Sequence, residues 1–103
     1  MIVVTFRNRL APGIDLDEYE QRSAKLYEIV AAMPGFRSIR SFTSDDGERL
    51  ALIEFASLES LAAWRDHPEH REAQRLGRER YYSEYHVQIC EPLRESHREP
   101  RKG

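Results

Sequence analysis

Hydrophobic positions along the chain recur every second residue in some stretches and every third or fourth in others, and the switches between these periods outline the elements. Residues 2–10 form an apolar, β-branched run that ends at Ala11-Pro12-Gly13, the pattern of a strand closed by breakers. Asp15 then precedes Leu16, with Glu18 three residues on to complete a capping box and with Ile14 and Tyr19 spaced for a hydrophobic staple. Leu16, Tyr19, Ser23, Leu26, Val30 and Met33 keep a helical spacing, which predicts a helix with one buried face over 16–33, stopped by Pro34-Gly35.

Phe36 to Ser44 alternates loosely, Asp45-Asp46-Gly47 is a tight-turn signal, and Arg49 to Phe55 is apolar again, so two strands are joined as a hairpin. Ser57 is placed to cap a second helix carrying Leu58, Leu61 and Ala62, broken or bent at His67-Pro68 because proline has no backbone donor. A further helical piece is expected over 69–80. Tyr82 to Glu91 alternates, with Tyr85, Val87 and Ile89 on one face and Glu84, His86, Gln88 and Cys90 on the other, and ends at Pro92. Residues 92–103 are polar and charged with little to bury. They are expected to form a mobile or partner-docked tail after a single domain of residues 1–91.

The order β-α-β-β-α-β is the split βαβ pattern of a ferredoxin-like α+β domain, a four-stranded antiparallel sheet with two helices on one face and strands one and three in the centre. Strand one (Ile2, Val3, Val4, Phe6) and strand three (Leu50, Ala51, Leu52, Ile53, Phe55) read as apolar on both faces and so need cover on both. Two helices cover one face. The other is expected to meet the same face of a second copy, giving a homodimer built sheet against sheet.

Composition narrows the partners. At 103 residues the chain has one domain's worth of core, and its net charge of −2 creates no global field that favours nucleic acid or an anionic membrane. The lone Cys90 excludes an intramolecular disulfide framework, and Met1-Ile2-Val3-Val4 runs into Thr5 and Arg7 without a secretory core. No apolar run approaches the roughly 20 residues that span a bilayer. A cytoplasmic protein with neither nucleic acid nor membrane as partner is expected.

Candidate chemistry concentrates in Trp64 to Gln74, which holds the only tryptophan and two of the four histidines. His67 and His70 are three apart, but Pro68 interrupts the helix between them and no third ligand lies nearby, so no metal site is expected. His67 belongs more naturally to the helix break. His70 shares a helical face with Ala73, Gln74, Gly77 and Tyr81, where small residues would let a ligand approach; an imidazole there either exchanges protons with substrate or bonds a neighbouring carboxylate. Asn8 stands in an apolar strand, either orienting oxygen or a carbonyl or satisfied by a backbone bond at an edge. Trp64 reads as core or as a stacking wall, and Tyr81, Tyr82 and Tyr85 as packing or as phenols facing a cavity. The charges from Arg71 to Arg80 read as a solvated helical face, and Cys90 as buried.

Asn8-Arg9-Leu10, Pro34-Gly35-Phe36, Phe55-Ala56-Ser57-Leu58-Glu59-Ser60-Leu61 leading to Trp64, His67-Pro68-Glu69-His70 and Ala73-Gln74-Arg75-Leu76-Gly77-Arg78, in this order, resemble the antibiotic biosynthesis monooxygenase family of dimeric α+β barrels, which includes bacterial haem-degrading monooxygenases. The resemblance covers residues 1–91. It implies a pocket between sheet and helices in which a small aromatic or polyketide-like substrate is oxygenated without a cofactor, or in which haem is bound as substrate and cofactor. In the haem-degrading members an Asn on strand one, a Trp on the second helix and a His ten residues beyond form the site. Asn8 and Trp64 match, but the third position is Gln74, a poor iron ligand. Cofactor-independent oxygenation is therefore the leading expectation, with Asn8 and His70 as catalytic residues and Trp64, Gln74, His67 and Tyr81 against the substrate. A haem enzyme that draws its imidazole from His70 and a non-catalytic dimeric small-molecule-binding or accessory protein are the alternatives.

Overall fold

The computed structural model describes residues 1–100, so the last three residues of the expected tail lie outside the described residues. The apolar run at the start of the chain is β1 (Ile2–Leu10), followed by α1 (Leu16–Ala31), β2 (Phe36–Thr43), β3 (Arg49–Phe55), α2 (Leu58–Arg65), α3 (Pro68–Leu76) and β4 (Tyr82–Cys90). A single turn of π-helix, Gly77–Tyr81, joins α3 to β4. The strands form one antiparallel sheet in the order β2-β3-β1-β4, so β1 and β3 are central, as the ferredoxin-like reading requires.

The punctuation works through side chains the sequence already marks. Asp15 Oδ1 accepts from the Glu18 backbone N–H at 3.0 Å, but the expected capping box is only half made. The Glu18 carboxylate turns instead to the Tyr81 hydroxyl, which donates to it at 2.7 Å. Helix α1 ends at Ala31, short of the expected Met33, because the Ala32 and Met33 N–H groups close the last turn onto Ile29 and Val30. Gly35, at φ 85°, then swings the chain into β2, and a side chain there would strike Ser60. Gly47 closes the hairpin with φ 89°, its N–H donating to the Ser44 carbonyl at 3.0 Å. Ser57 and Ser60 complete a reciprocal box at the start of α2. His67 starts α3, its Nδ1 accepting from the Glu69 N–H at 3.1 Å, and Pro68 occupies the first turn, where no donor is needed. Of the break or bend expected at His67-Pro68, the structure shows the break: two helices with separate caps.

Side chains paired directly across the ladders share a face. Ile2, Val4, Phe6 and Asn8 of β1 therefore face the helices together with Phe55, Ile53, Ala51 and Arg49 of β3 and Ile89, Val87 and Tyr85 of β4. Ile2, Val4, Val30, Phe55, Leu61 and Trp64 form the main buried cluster. Tyr19, Leu76 and Tyr81 form a second. Full burial of a side chain the size of Phe55 contributes about 1.5–3 kcal/mol.

The opposite face of the sheet carries Val3, Thr5 and Arg7, with Leu50 and Leu52 on β3 and Phe42 on β2. It is apolar on β3 but mixed on β1, where exposed Arg7 reaches Glu48 at 3.0 Å. Cys90, expected to be buried, is exposed, because it lies on this face at the sheet edge. Residues 91–100 contain no helix or strand, and Leu93 is fully exposed. Among the described residues no helix is long and apolar enough to cross a membrane.

Candidate active site

Between the sheet and the helices lies a cavity of two adjoining lobes. The lobe beside β4 has a volume of about 300 Å³ and that beside β3 about 220 Å³, and both touch Phe6, Leu26, Ile53, Trp64, His70 and Tyr82. Half-exposed Tyr85, Val87 and Ile89 rim the β4 lobe, with Ala73 and Gln74 on the helical side. Asn8, Tyr19, Ser23 and Arg49 line the β3 lobe.

The helix break aims the chemistry. Because α3 restarts at Pro68, His70 falls back against the end of α2, and its ring stacks on the Trp64 indole with centroids 4.3 Å apart and planes 12° from parallel. His70 Nδ1 lies 3.2 Å from the Trp64 carbonyl oxygen and 3.4 Å from the Gln74 carboxamide. The carbonyl oxygen can only accept and the Gln74 Nε2 can only donate, so one nitrogen cannot serve both; the shorter contact assigns the proton to Nδ1 and leaves the lone pair on Nε2, with Gln74 in van der Waals contact. Burial holds the His70 pKa below its ordinary value, against a smaller opposing effect of the Trp64 carbonyl. The imidazole is therefore neutral at neutral pH and carries a free basic nitrogen.

Asn8 is 5% exposed, on a central strand rather than the edge. Its Oδ1 is buried with no hydrogen-bond partner. An orphaned acceptor of this kind costs about 1–3 kcal/mol, which makes it a marker of a site awaiting a donor.

Four of the six expected site residues come together around the cavity: Asn8, Trp64, His70 and Gln74. His67 and Tyr81 are not in its walls. His67 is committed to capping α3. Tyr81 packs with Tyr19 and Leu76 and donates to Glu18, and burial followed by that carboxylate raises its phenol pKa. Its neighbour Tyr82 takes the wall position, with its hydroxyl 3.0 Å from that of Tyr19 and its ring edge-on to Phe6 at 5.2 Å; burial first, and Tyr19 second, raise its pKa. Gly77 does not open a path for ligand, because the Tyr82 ring fills the space beside it, 2.7 Å from where a Cβ would stand. Sequence reasoning missed Arg49, whose only signal was its place opposite Asn8 in the β1–β3 register.

A ferredoxin-like sheet with a cavity under its helices, walled by indole, imidazole and a buried carboxamide, defines the class as an α+β domain with a pocket between its two layers. The family model described as antibiotic biosynthesis monooxygenase matches residues 1–76, and the chain belongs to that family. The uncharacterized protein YqjZ of Bacillus subtilis is 28% identical over 72 residues, which span 70% of this chain and 63% of that protein, less than two thirds of its length. Rv0793 of Mycobacterium tuberculosis is similar in structure with a TM-score of 0.78 and 22% identity, over 93% of this chain and 98% of that one. SnoaB of Streptomyces nogalater, a cofactor-independent oxygenase, gives a TM-score of 0.73 at 11% identity, over 91% of this chain and 94% of that one. At these identities the structural likeness is one of fold.

Proposed function

We propose that this protein binds a small, flat, oxygenated aromatic or polyketide-like compound in the cavity and oxygenates it without a cofactor. The reading is carried by the neutral His70 imidazole and the unpartnered Asn8 amide in walls that are otherwise mainly apolar and aromatic. His70 Nε2 takes a proton from the activated ring position, and the Nδ1 bond to the Trp64 carbonyl stabilises the imidazolium that forms. The resulting carbanion gives an electron to molecular oxygen. Radical recombination forms a carbon–oxygen bond, and loss of water from the peroxide turns a ring CH2 into C=O, with one oxygen atom retained and the other released as water. Asn8 orients the oxygen or a substrate carbonyl through its Nδ2–H and leaves Oδ1 free for a substrate donor, Trp64 supplies a flat wall, and Gln74 anchors the substrate edge. The apolar surroundings limit the water that would quench the carbanion.

The donor set does not favour haem. Position 74 carries a carboxamide, which is no iron ligand, and it sits against His70. A second copy of the chain is part of the proposal, packed on the helix-free face through Val3, Phe42, Leu50 and Leu52; light scattering at twice the monomer mass would support it, and a monomer at micromolar concentration would refute it. A cytoplasmic setting fits the exposed free thiol of Cys90. The catalytic proposal is tested with an oxygen electrode and dithranol as the probe. Wild-type protein should consume one oxygen per dithranol, and the Asn8→Ala, His70→Ala double variant should fall to background; full uptake by the double variant overturns the assignment.

A further inference from the structure

Arg49 begins β3, half-buried, and lines the β3 lobe directly opposite Asn8. Its guanidinium carbon lies 5.3 Å from the centroid of the Tyr19 ring. Among the described residues no carboxylate pairs with it; Arg37, Arg40, Arg71, Arg78, Arg94 and Arg98 are likewise unpaired but exposed to water, whereas Arg49 is half-buried. Acid is not scarce, since the chain holds 18 acidic residues against 16 basic ones. Yet neither lobe has an Asp or Glu in its walls, while Arg49, Arg65 and Arg78 all contribute. A partly desolvated cation over an aromatic face, with no anion beside it, is poised to take one from outside.

The Asn8 Oδ1 supplies the second, independent observation, because it is a buried acceptor and needs a donor, which an anion cannot provide. Directly opposed residues of an antiparallel pair have Cα atoms about 4.5–5.5 Å apart. Two neighbouring substituents on one ring can therefore meet both side chains, one as anion and one as hydroxyl.

Building on the aromatic-cavity reading above, we propose that the natural ligand is an ortho-hydroxy aromatic acid, with its carboxylate paired to Arg49 and its hydroxyl donating to Asn8 Oδ1. Arg49 is then a specificity-determining residue that selects acids over neutral aromatics and fixes which ring edge faces His70. Electrostatic pairing in a partly dry lobe favours the acid strongly, whereas the apolar walls serve acid and ester alike.

The test is calorimetric titration of the full chain with ortho-hydroxynaphthoate and with its methyl ester. The acid should bind about tenfold or more tightly than the ester, and Arg49→Gln should remove that preference while leaving ester affinity in place, which also shows that the variant's cavity is folded. Arg49→Lys should keep most of the preference. Equal affinity for acid and ester in the wild type, or an acid preference that survives Arg49→Gln, overturns the role of Arg49 and leaves the aromatic cavity standing. Binding of neither compound overturns both.

Discussion

Asn8→Leu separates what the buried amide does for the fold from what it does for a ligand. Leucine has nearly the shape of asparagine and no polar atoms. The substitution removes an acceptor that is buried without a partner, whose desolvation costs about 1–3 kcal/mol. A central strand also disfavours asparagine, on a scale that spans about 1 kcal/mol. Against this stands overpacking, worth about 1–3 kcal/mol where no space exists. Here the side chain borders a lobe of about 220 Å³, so methyl groups have room and the penalty is small. The net expectation is a stabilisation of about 1–2 kcal/mol. In urea the midpoint should rise at unchanged m, and Tm should rise by roughly 4–8 °C per kcal/mol for a chain of this size. Oxygen uptake with dithranol should fall to background in the same variant. A stability loss of about 1 kcal/mol or more would refute the reasoning, because it would mean that the Asn8 amide is bonded in the folded protein and is no orphan.

Gly77→Ala should destabilise despite the helical backbone at that position, φ −59° and ψ −48°. Alanine gains about 1 kcal/mol of helix propensity but meets the Tyr82 ring, which is held by Phe6 and Tyr19, at a cost of about 1–3 kcal/mol; thermal melts should show a lower Tm that a Tyr82→Leu background restores in part. His70 makes stability pH-dependent: its folded pKa lies below the unfolded value near 6.5, so the unfolded chain binds the proton more readily, and stability present above that value is lost as pH falls through it. Urea midpoints between pH 7.5 and 5 should decline, with a shallower decline in His70→Gln; identical slopes would refute the assignment. Haemin added to the protein should give no sharpened Soret band, and a sharp band that bleaches with reductant in air would favour the haem alternative.

Breakers and caps made most of the fold legible before any coordinates. Pro12-Gly13, Pro34-Gly35 and Asp46-Gly47 act within a few residues of themselves, as do the Asp15 and Ser57 caps, so local sequence suffices to read them. The cavity residues Asn8, Trp64, His70 and Gln74 were legible because a polar group inside an apolar pattern is unusual and because helical spacing groups the last two. What escaped depends on chain segments far apart in sequence. Whether Tyr81 or Tyr82 faces the cavity is decided by the π-helical turn that precedes β4, and helical periodicity does not foresee it. Cys90 is expected to be buried as cysteines usually are, but its alternation groups it with Glu84, His86 and Gln88 and the strand order puts it at the edge. Arg49 looks like an ordinary strand start until the register sets it beside Asn8. The Asp15 box failed halfway because Glu18 found a stronger claim in Tyr81, 63 residues away.

The widened turn at Gly77–Tyr81 acts as a one-residue spacer for everything that follows. Strand alternation has a period of two, so the length of the connector decides which set of β4 side chains looks inward. The register irregularity between Arg9 and Leu10, at the same end of the ladder, takes up the adjoining mismatch. Removing one residue from the turn would present Glu84, His86 and Gln88 to the cavity and send Tyr85, Val87 and Ile89 to the far side. An apolar chamber would become a polar one without any substitution in its walls. The length of this connector thus sets the polarity of the cavity wall as firmly as the identity of the residues in it.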